Sequence, residues 1–535
     1  MTVAADALPT DIRTYHQRTK HAPNRYALGP AFLDWTSQPV AFRRFNGARL
    51  IDLPLSAEAT PAFPGPAPQP APLSLDSLGL FFELAFGLSA WKSYEGSTWA
   101  LRNNPSSGNL HPTECYALLN ALAGASDAAA LYHYAPEPHA LEERAIYDAP
   151  RILPEGGFLL ALTAIPWREA WKYGERAFRY CQLDAGHAFG AAAQAAAALG
   201  WRALVLTAPS DDEISALLGL AREDAAHRRE AEHPEALMWI STDPAADALD
   251  FEPQQALEPT RVWRGVANRL SEDHDGWPAV DLAQRFCRKP RMAALPAPAA
   301  LPQAQIEGTE IGAVVRRRRS AQRMDGASAM PRKAFAALLK ALAPGAAPFM
   351  SCFPWDPRIT PAFFIHRVEG LTPGLYILPR DPDMIASLRA AASTAFLWRP
   401  VDVEGVELLL LAEGDVEREA TRLSCLQPIA GKGAFGVSLL ADFTRTLDED
   451  GDFGYRRLHW EAGLIGQALY LYPTASGLSG TGIGCFFDDE LHALLGLPAG
   501  LNAFQVVYHF TVGGAVEDTR LLTLPPYPPE RRAQR

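Results

Sequence analysis

Cysteine is scarce in this 535-residue chain, with six residues at positions 115, 181, 287, 352, 425 and 485. No two stand in a Cys-x-x-Cys spacing, so neither a disulfide frame nor a cysteine zinc site is indicated, and buried, reduced thiols are expected. A basic surplus is missing too. Lys and Arg number 49 against 61 Asp and Glu, a net charge of -12, which argues against nucleic acid or an anionic membrane as the main partner. The first eleven residues hold no basic region and no long apolar run, so they do not read as a signal peptide. No uninterrupted apolar stretch approaches the roughly 20 residues that cross a bilayer. These absences predict a cytoplasmic protein without a bound metal.

Hydrophobic residues make up 48% and charged residues 21% of the chain, enough apolar content for a full core. The length predicts two to four domains. Residues 57–73, rich in Pro and Ala, predict an extended, exposed spacer. A second such stretch at 289–302 predicts the boundary between two halves, 1–290 and 305–535. The halves echo each other. Ala130-Leu131-Tyr132 in an expected strand matches Gly374-Leu375-Tyr376. The segment 173–186 matches 453–463, and each leads through a long helix to a glycine, Gly200 or Gly477. The helix expected at 184–199 is Ala-rich and apolar all round, which places it at a buried interface. Matches recurring in one order read as a duplication of a domain of about 230–290 residues. Further expectations are a helix with a basic face within 11–26, helices at 75–88 and 312–323, and a buried strand at 158–164.

One loop stands out for chemistry. In Pro105-Ser106-Ser107-Gly108-Asn109-Leu110-His111-Pro112, two prolines and a glycine forbid regular structure. What remains are short polar side chains and free backbone N–H groups, which suit the polar edge of a flat ligand or an ordinary polar turn equally well.

With Glu114 and Tyr116 after it, this loop resembles the flavin-contacting loop of the nitroreductase superfamily, and within it that of the SagB-type dehydrogenases, which oxidise azolines to azoles in peptide natural products. Tyr15-His16-Gln17-Arg18-Thr19-Lys20 is similar to an element at the start of SagB-type proteins. The resemblance covers nearly the whole chain. It implies an α+β fold of two nitroreductase-like domains in tandem, each a mainly antiparallel sheet flanked by helices, forming an intrachain pseudo-dimer. It also implies FMN as cofactor, with the ring loop and the phosphate groups supplied from opposite domains.

The two halves divide the implied site. Arg318, Arg319, Ser320 and Arg323 resemble the superfamily's phosphate motif, and guanidinium forks with a hydroxyl suit a dianion. Gly480-Thr481-Gly482-Ile483-Gly484 resembles the loop that passes the flavin ring, with Gly482, Ile483 and Gly484 as contacts. It follows a helix and is no dinucleotide fingerprint. The resemblance carries a last phosphate ligand to Arg520. In the first half, Pro105, Ser106, Ser107 and Asn109 would meet the ring. Lys172 and Tyr173 match a pair implicated in proton transfer, which any hydride removal requires. Without the resemblance, Arg318–Arg319 would be a solvated basic run and Lys172 a surface lysine. A second site, combining Arg18-Thr19-Lys20 with the altered loop at 350–361, is expected to be empty. The leading reading is an FMN-dependent SagB-type dehydrogenase acting on a small molecule or a modified peptide. Alternatives are an NAD(P)H-dependent nitro or quinone reductase and a flavin-free subunit of a peptide-modifying complex.

Overall fold

The computed structural model describes residues 7–56, 59–222, 225–246, 251–302 and 309–528. The first six residues of the N-terminal stretch and positions 303–308 of the expected boundary lie outside the described residues. The first half runs α1 (Ile12–Arg18), β1 (Arg49–Asp52), α2 (Leu75–Phe86), β2 (Leu88–Tyr94), β3 (Ser97–Arg102), β4 (Thr113–Leu119), β5 (Ala130–Ala135), β6 (Ala140–Tyr147) and β7 (Gly157–Ala164). It continues with α3 (Pro166–Tyr173), α4 (Ala177–Ala198), β8 (Arg202–Leu206) and β9 (His233–Ser241). The second half runs α5 (Ile311–Arg317), β10 (Ile359–Ile365), β11 (Gly374–Ile377), β12 (Arg399–Val403), β13 (Val406–Glu413), β14 (Phe435–Asp442), α6 (Gly454–Ala475), β15 (Ser479–Ile483), β16 (Phe504–Gly513) and β17 (Leu522–Leu524).

The duplication expected from the sequence is present in the topology. The first sheet is ordered β8-β9-β7-β4-β5-β6, with β1 and the short strand Arg261–Trp263 on β6. The second is ordered β12-β13-β11-β10-β14-β16-β15. Read from the β8 and β15 edges, the two follow the same connection pattern, and their ladders are antiparallel. β7 reads Gly-Phe-Leu-Leu-Ala-Leu-Thr-Ala and is buried along its whole length. Such a run, apolar at consecutive positions, fits a strand covered on both faces.

The sheets are held together through α4 and α6, each 22 residues long and almost wholly buried. Their closest approach falls on glycines at the tenth position of each helix. A Cβ on Gly186 would lie 2.2 Å from the Trp460 carbonyl oxygen, and one on Gly463 would lie 2.1 Å from that of Leu183. Only residues without a side chain let two backbones come so near.

Reciprocal buried charges reinforce this contact. Arg176 and Arg179, at the start of α4, bond Asp488 in the second half at 3.1 and 2.7 Å. Arg456, at the start of α6, bonds Asp211 and Glu235 in the first half at 2.6 and 3.0 Å. Both aspartates open the short helix that follows an edge strand, β15 or β8.

Terminal segments cross over as well. His16 on α1 meets Tyr455 and Gln505 of the second half. β17 pairs with β2, and Tyr527 donates to the Pro136 carbonyl. The expected exposed spacer departs from expectation, because Ala62–Phe63 pairs with Thr309–Glu310 and Phe63 is buried. An apolar ring next to a free strand edge gains more by pairing than by solvation. The basic residues in and after α1 are partly withdrawn from solvent, since His16 and Lys20 are buried and bond Gln505 and Asp489 of the second half.

Gly463→Ala separates two opposed effects. Helix propensity alone predicts a gain of up to about 1 kcal/mol, whereas insertion of a methyl against backbone predicts a loss of about 1–3 kcal/mol. Urea unfolding should show a net loss; a more stable variant would mean that the helices are not in backbone contact.

Candidate active site

A cleft of about 1030 Å³ opens between the halves. Its floor is one face of α4, where Tyr180, Asp184 and His187 point into it at a spacing of four and three residues. One wall is the loop between β3 and β4, and the other is β15 with the turn that follows. At one end lie the residues after α5, and Lys92 of β2.

The loop is shaped locally. Gly108 takes φ 59°, Asn109 φ 61° and His111 φ 53°, a left-handed run in which glycine and asparagine are the least strained residues. Ser107 donates to Asp184 through its backbone N–H, at 3.1 Å, and its hydroxyl, at 3.0 Å. Asn109 Nδ2 donates to the Ala100 carbonyl, and its Oδ1 meets His111 Nε2 at 3.0 Å. Against this loop lie the two residues assigned to proton transfer. A Cβ on Gly108 would lie 2.6 Å from the Tyr173 hydroxyl and 3.2 Å from Lys172 Nζ. The Lys172 ammonium stands 5.3 Å from the Tyr173 ring centroid. Tyr173 lines the cleft and Lys172 stands behind it. Burial raises the Tyr173 hydroxyl well above its usual range, helped by the nearby Glu169 charge. It therefore keeps its proton at neutral pH and acts as a donor, which removes it as a candidate base.

At the opposite end Arg318, Arg319 and Lys92 gather, with Glu517 and Asp518 also lining the cleft and Glu517 acting on Lys92. Arg318 is 4% exposed and donates to the carbonyls of Asn103 and Arg102 at 3.1 and 2.9 Å. Arg319 donates to the carbonyls of Arg316, Arg318 and Ser89. Among the described residues neither has a carboxylate partner. Burial, and then the charge of Arg318, brings Arg319 down to about 10. Lys92 is lowered as well, by burial and then by Arg319. Buried guanidinium groups normally carry a counter-charge, so this end of the cleft is built for an anion. Ser320 shares a 2.7 Å hydrogen bond with Tyr470, whose hydroxyl also accepts from the Gly482 N–H at 3.1 Å.

The glycines of β15 are required by neighbours. A Cβ on Gly482 would lie 1.9 Å from the Tyr508 hydroxyl, and one on Gly484 would lie 2.4 Å from the Tyr180 ring. The expected loop at 480–484 is in fact mostly strand, because β15 pairs with β16 along the sheet edge.

The structure thus brings Pro105, Ser106, Ser107, Asn109, Tyr173, Arg318, Arg319, Ser320, Gly482, Ile483 and Gly484 to one cleft. Arg323 and Arg520 are not among its lining residues. Both are exposed, and Arg520 pairs with Asp518 at 2.7 Å. The segment after Gly513 runs along the cleft, with Asp518, Thr519 and Leu521 lining it, but the Arg520 side chain is exposed and held by Asp518. Asp184, His187, Tyr180, Tyr470 and Tyr508 escaped the sequence reading. A polar stripe at 180, 184 and 187 in an otherwise alanine-rich helix was the available signal.

The second site is closed by a different route from the one expected. Arg18 is spent on Glu175, at 2.7 Å, and Lys20 on Asp489, at 2.7 Å, while Thr19 binds Arg179. The true counterpart of the cleft lies beside β8 and the altered loop containing Cys352 and Pro354. Only about 70 Å³ is left there. The Pro/Ala stretch fills it: Thr207 Oγ1 donates to the Ala293 carbonyl, Leu295 N–H donates to Thr207 Oγ1, and Arg202 donates to the Pro298 carbonyl.

With this geometry in view, the family is defined. The Nitroreductase family model matches residues 70–227 and 315–514, most of the chain and both halves. The chain belongs to the Nitroreductase family, whose members are generally oxidoreductases. A nitroreductase structure from Anabaena variabilis aligns over 95% of this chain and all of its own, with a TM-score of 0.68 and 22% identity. It shows that the tandem fold recurs. A nitroreductase structure from Ralstonia eutropha aligns over 43% of this chain and 99% of its own, at 16% identity and a TM-score of 0.29. A Methanocaldococcus jannaschii protein named as a nitroreductase is 37% identical over 57 residues, 11% of this chain. The match spans only 29% of that protein's length. Among the described residues no helix is long and apolar enough to cross a membrane, and no His/Cys/Asp/Glu group could hold a metal.

Asp184 supplies a pH-dependent test. Its carboxyl is raised from 3.8 to about 7, chiefly by burial and against the pull of its serine hydrogen bonds. A carboxyl raised on folding costs nothing below its unfolded value. It destabilises progressively as pH rises from about 4 to about 7, by a few kcal/mol in all. Asp184→Asn should therefore gain stability relative to the parent between pH 5 and 8. Parallel melting curves across that range would show that Asp184 ionises without cost.

Proposed function

We propose that the protein is an FMN-dependent oxidoreductase of the SagB type, binding one flavin per chain at the interface of its two domains. The observation that carries this reading is the pair of buried Arg318 and half-buried Arg319, hydrogen-bonded to carbonyls and lining one end of a long cleft. A phosphate dianion supplies the missing counter-charge. Ser320 and Lys92 complete that end, while Gly482, Ile483 and Gly484 line the wall where backbone can approach a flat ring. Ser106, Ser107 and Asn109 face them from the other domain. When bound, FMN would supply two-electron redox chemistry.

The chain's own residues then account for binding and protons. Asp184 clamps the Ser107 N–H and hydroxyl, which fixes the loop. Tyr173 holds a proton on its hydroxyl at the cleft surface, beside the Lys172 ammonium. From there Tyr173 can deliver a proton to a substrate atom, with Lys172 beside it. The size of the cleft leaves room for a small molecule or a segment of a modified peptide beside the cofactor, and an azoline substrate is the expectation that follows from the SagB resemblance. Burial of the working groups between two halves of one chain supports activity as a monomer.

Two experiments test the assignment. Arg319→Ala should weaken FMN binding by about 10- to 150-fold, corresponding to about 1.5–3 kcal/mol for a charge-assisted bond. Arg18→Ala, whose guanidinium is already neutralised by Glu175, should leave FMN affinity unchanged. Titration should saturate at one FMN per chain; two equivalents would overturn the closure of the second site. Lys172→Ala should retain FMN and slow substrate oxidation on the order of 100-fold, and unchanged turnover would return Lys172 to a surface role.

A further inference from the structure

Four of the six cysteines are buried, as expected, but Cys425 and Cys485 are half-exposed. They come from different elements: Cys425 follows the helix Glu417–Leu423, and Cys485 follows β15 on the wall of the cleft. Phe487 N–H donates to the Leu423 carbonyl at 2.8 Å, and Gln427 Nε2 donates to the Cys485 carbonyl at 3.1 Å. The two segments therefore run in opposite senses. Cys425 and Cys485 each lie two residues from that backbone bond, on the two segments it holds together. Their thiols are hydrogen-bonding neighbours.

The backbone is bent to achieve this. Cys425 and Leu426 have φ of 51° and 59°, a left-handed conformation costly for side chains of this kind and concentrated at functional sites. The surroundings make the two sulfurs unequal. His21 Nδ1 accepts the Ala27 N–H at 2.9 Å, so the ring proton sits on Nε2 and points at Cys485. The Arg176 guanidinium, held on the Gly484 carbonyl, stands close by. Asp488, Tyr26 and Tyr180 are the other titratable groups nearby. The hydrogen bond from Cys425, with further help from His21 and Arg176, draws the Cys485 thiol down to about 5. Cys425 is raised far above the usual thiol range, first through Cys485 and then by burial.

We propose that Cys485 and Cys425 form a thiol–disulfide exchange site at the rim of the cleft, whose co-substrate is a low-molecular-weight disulfide. The Cys485 thiolate attacks one sulfur of that disulfide. A mixed disulfide forms and one thiolate leaves, taking a proton from solvent. The Cys425 thiol then loses its proton to solvent and attacks the Cys485 sulfur. A Cys425–Cys485 bond forms and the second small thiol departs. Two protein thiols are oxidised and one small disulfide is reduced to two thiols. The new bond ties the turn at Gly484–Cys485, which lines the cleft, to the segment carrying Gln427. This site does not depend on the flavin assignment, and its test needs no redox turnover.

The full-length protein, incubated with glutathione disulfide without air and then digested, is the direct test. The peptides bearing Cys425 and Cys485 should appear joined, lighter by two hydrogens than the separate thiols, with no glutathione retained and with reversal by dithiothreitol. Cys425→Ser should instead trap glutathione on Cys485. Cys485→Ser should acquire glutathione at Cys425 more slowly than Cys425→Ser acquires it at Cys485, because burial still raises the Cys425 thiol and the His21 hydrogen bond serves position 485. Unmodified Cys115, Cys181, Cys287 and Cys352 report in each case that the fold is intact. A glutathione adduct that persists on Cys485 in the unsubstituted protein, or a Cys485 as slow to react as the buried thiols, would overturn the proposal.

Discussion

The backbone contact between α4 and α6 at Gly186 and Gly463 is the constraint on which the rest of the structure depends. Two helices that touch without side chains between them bring two sheets to a fixed distance, and the cleft is what that distance leaves open. The same contact explains why the charges at the helix starts can be buried. Arg176 and Arg179 reach across to Asp488, and Arg456 reaches across to Asp211 and Glu235, only because the helices are close enough for each to pass the other's flank. Buried ion pairs add little net stability on their own, but a member left alone is costly. The pairs therefore enforce the docking more than they drive it.

Duplication within one chain frees the two interfacial positions from being identical. On one side the arginines after α5 lack counter-charges, and the glycines of β15 leave space. On the other, β8 has no such glycines and the Pro/Ala stretch lies in the gap, tied down by Thr207 and Arg202. The linker joining the two domains is thus also the plug of the redundant position. A symmetric homodimer could not fill one of its two positions this way, since any plug would occupy both.

Polar groups in the cleft are set by burial more than by partners. Asp184 and Tyr173 both have their protonation shifted chiefly by removal from water, and burial raises Glu169 as well, whose two carboxyl oxygens have no hydrogen-bond partner. For the two carboxyls that shift runs towards neutrality, and for the Tyr173 hydroxyl it runs away from it.

Much of this was legible in the residues themselves. The order of echoes, from the Leu-Tyr strand through the glycine-interrupted long helix, fixed the duplication, because a repeated pattern of apolar spacing and glycine has no other economical cause. The Ser-Ser-Gly-Asn loop and the Arg-Arg-Ser turn were singled out by their resemblance to family motifs, since their local chemistry alone suits an ordinary turn and a solvated basic run equally well. Tertiary structure alone decided the rest. Arg323 and Arg520 look like Arg318 and Arg319 in sequence, yet both are exposed and line no part of the cleft, and Arg520 pairs with Asp518 instead. Arg18 and Lys20 were lost to partners more than 150 residues away. Asp184 sits in a helix that reads as plain interface, and only the packing of a loop 77 residues upstream against it makes it part of a site. Cys425 and Cys485, 60 positions apart with no spacing motif, are brought near each other where the Phe487 N–H bonds the Leu423 carbonyl. Sequence records which groups a segment carries. Which of them share a surface depends on long-range backbone approach, and here that is set by two glycines.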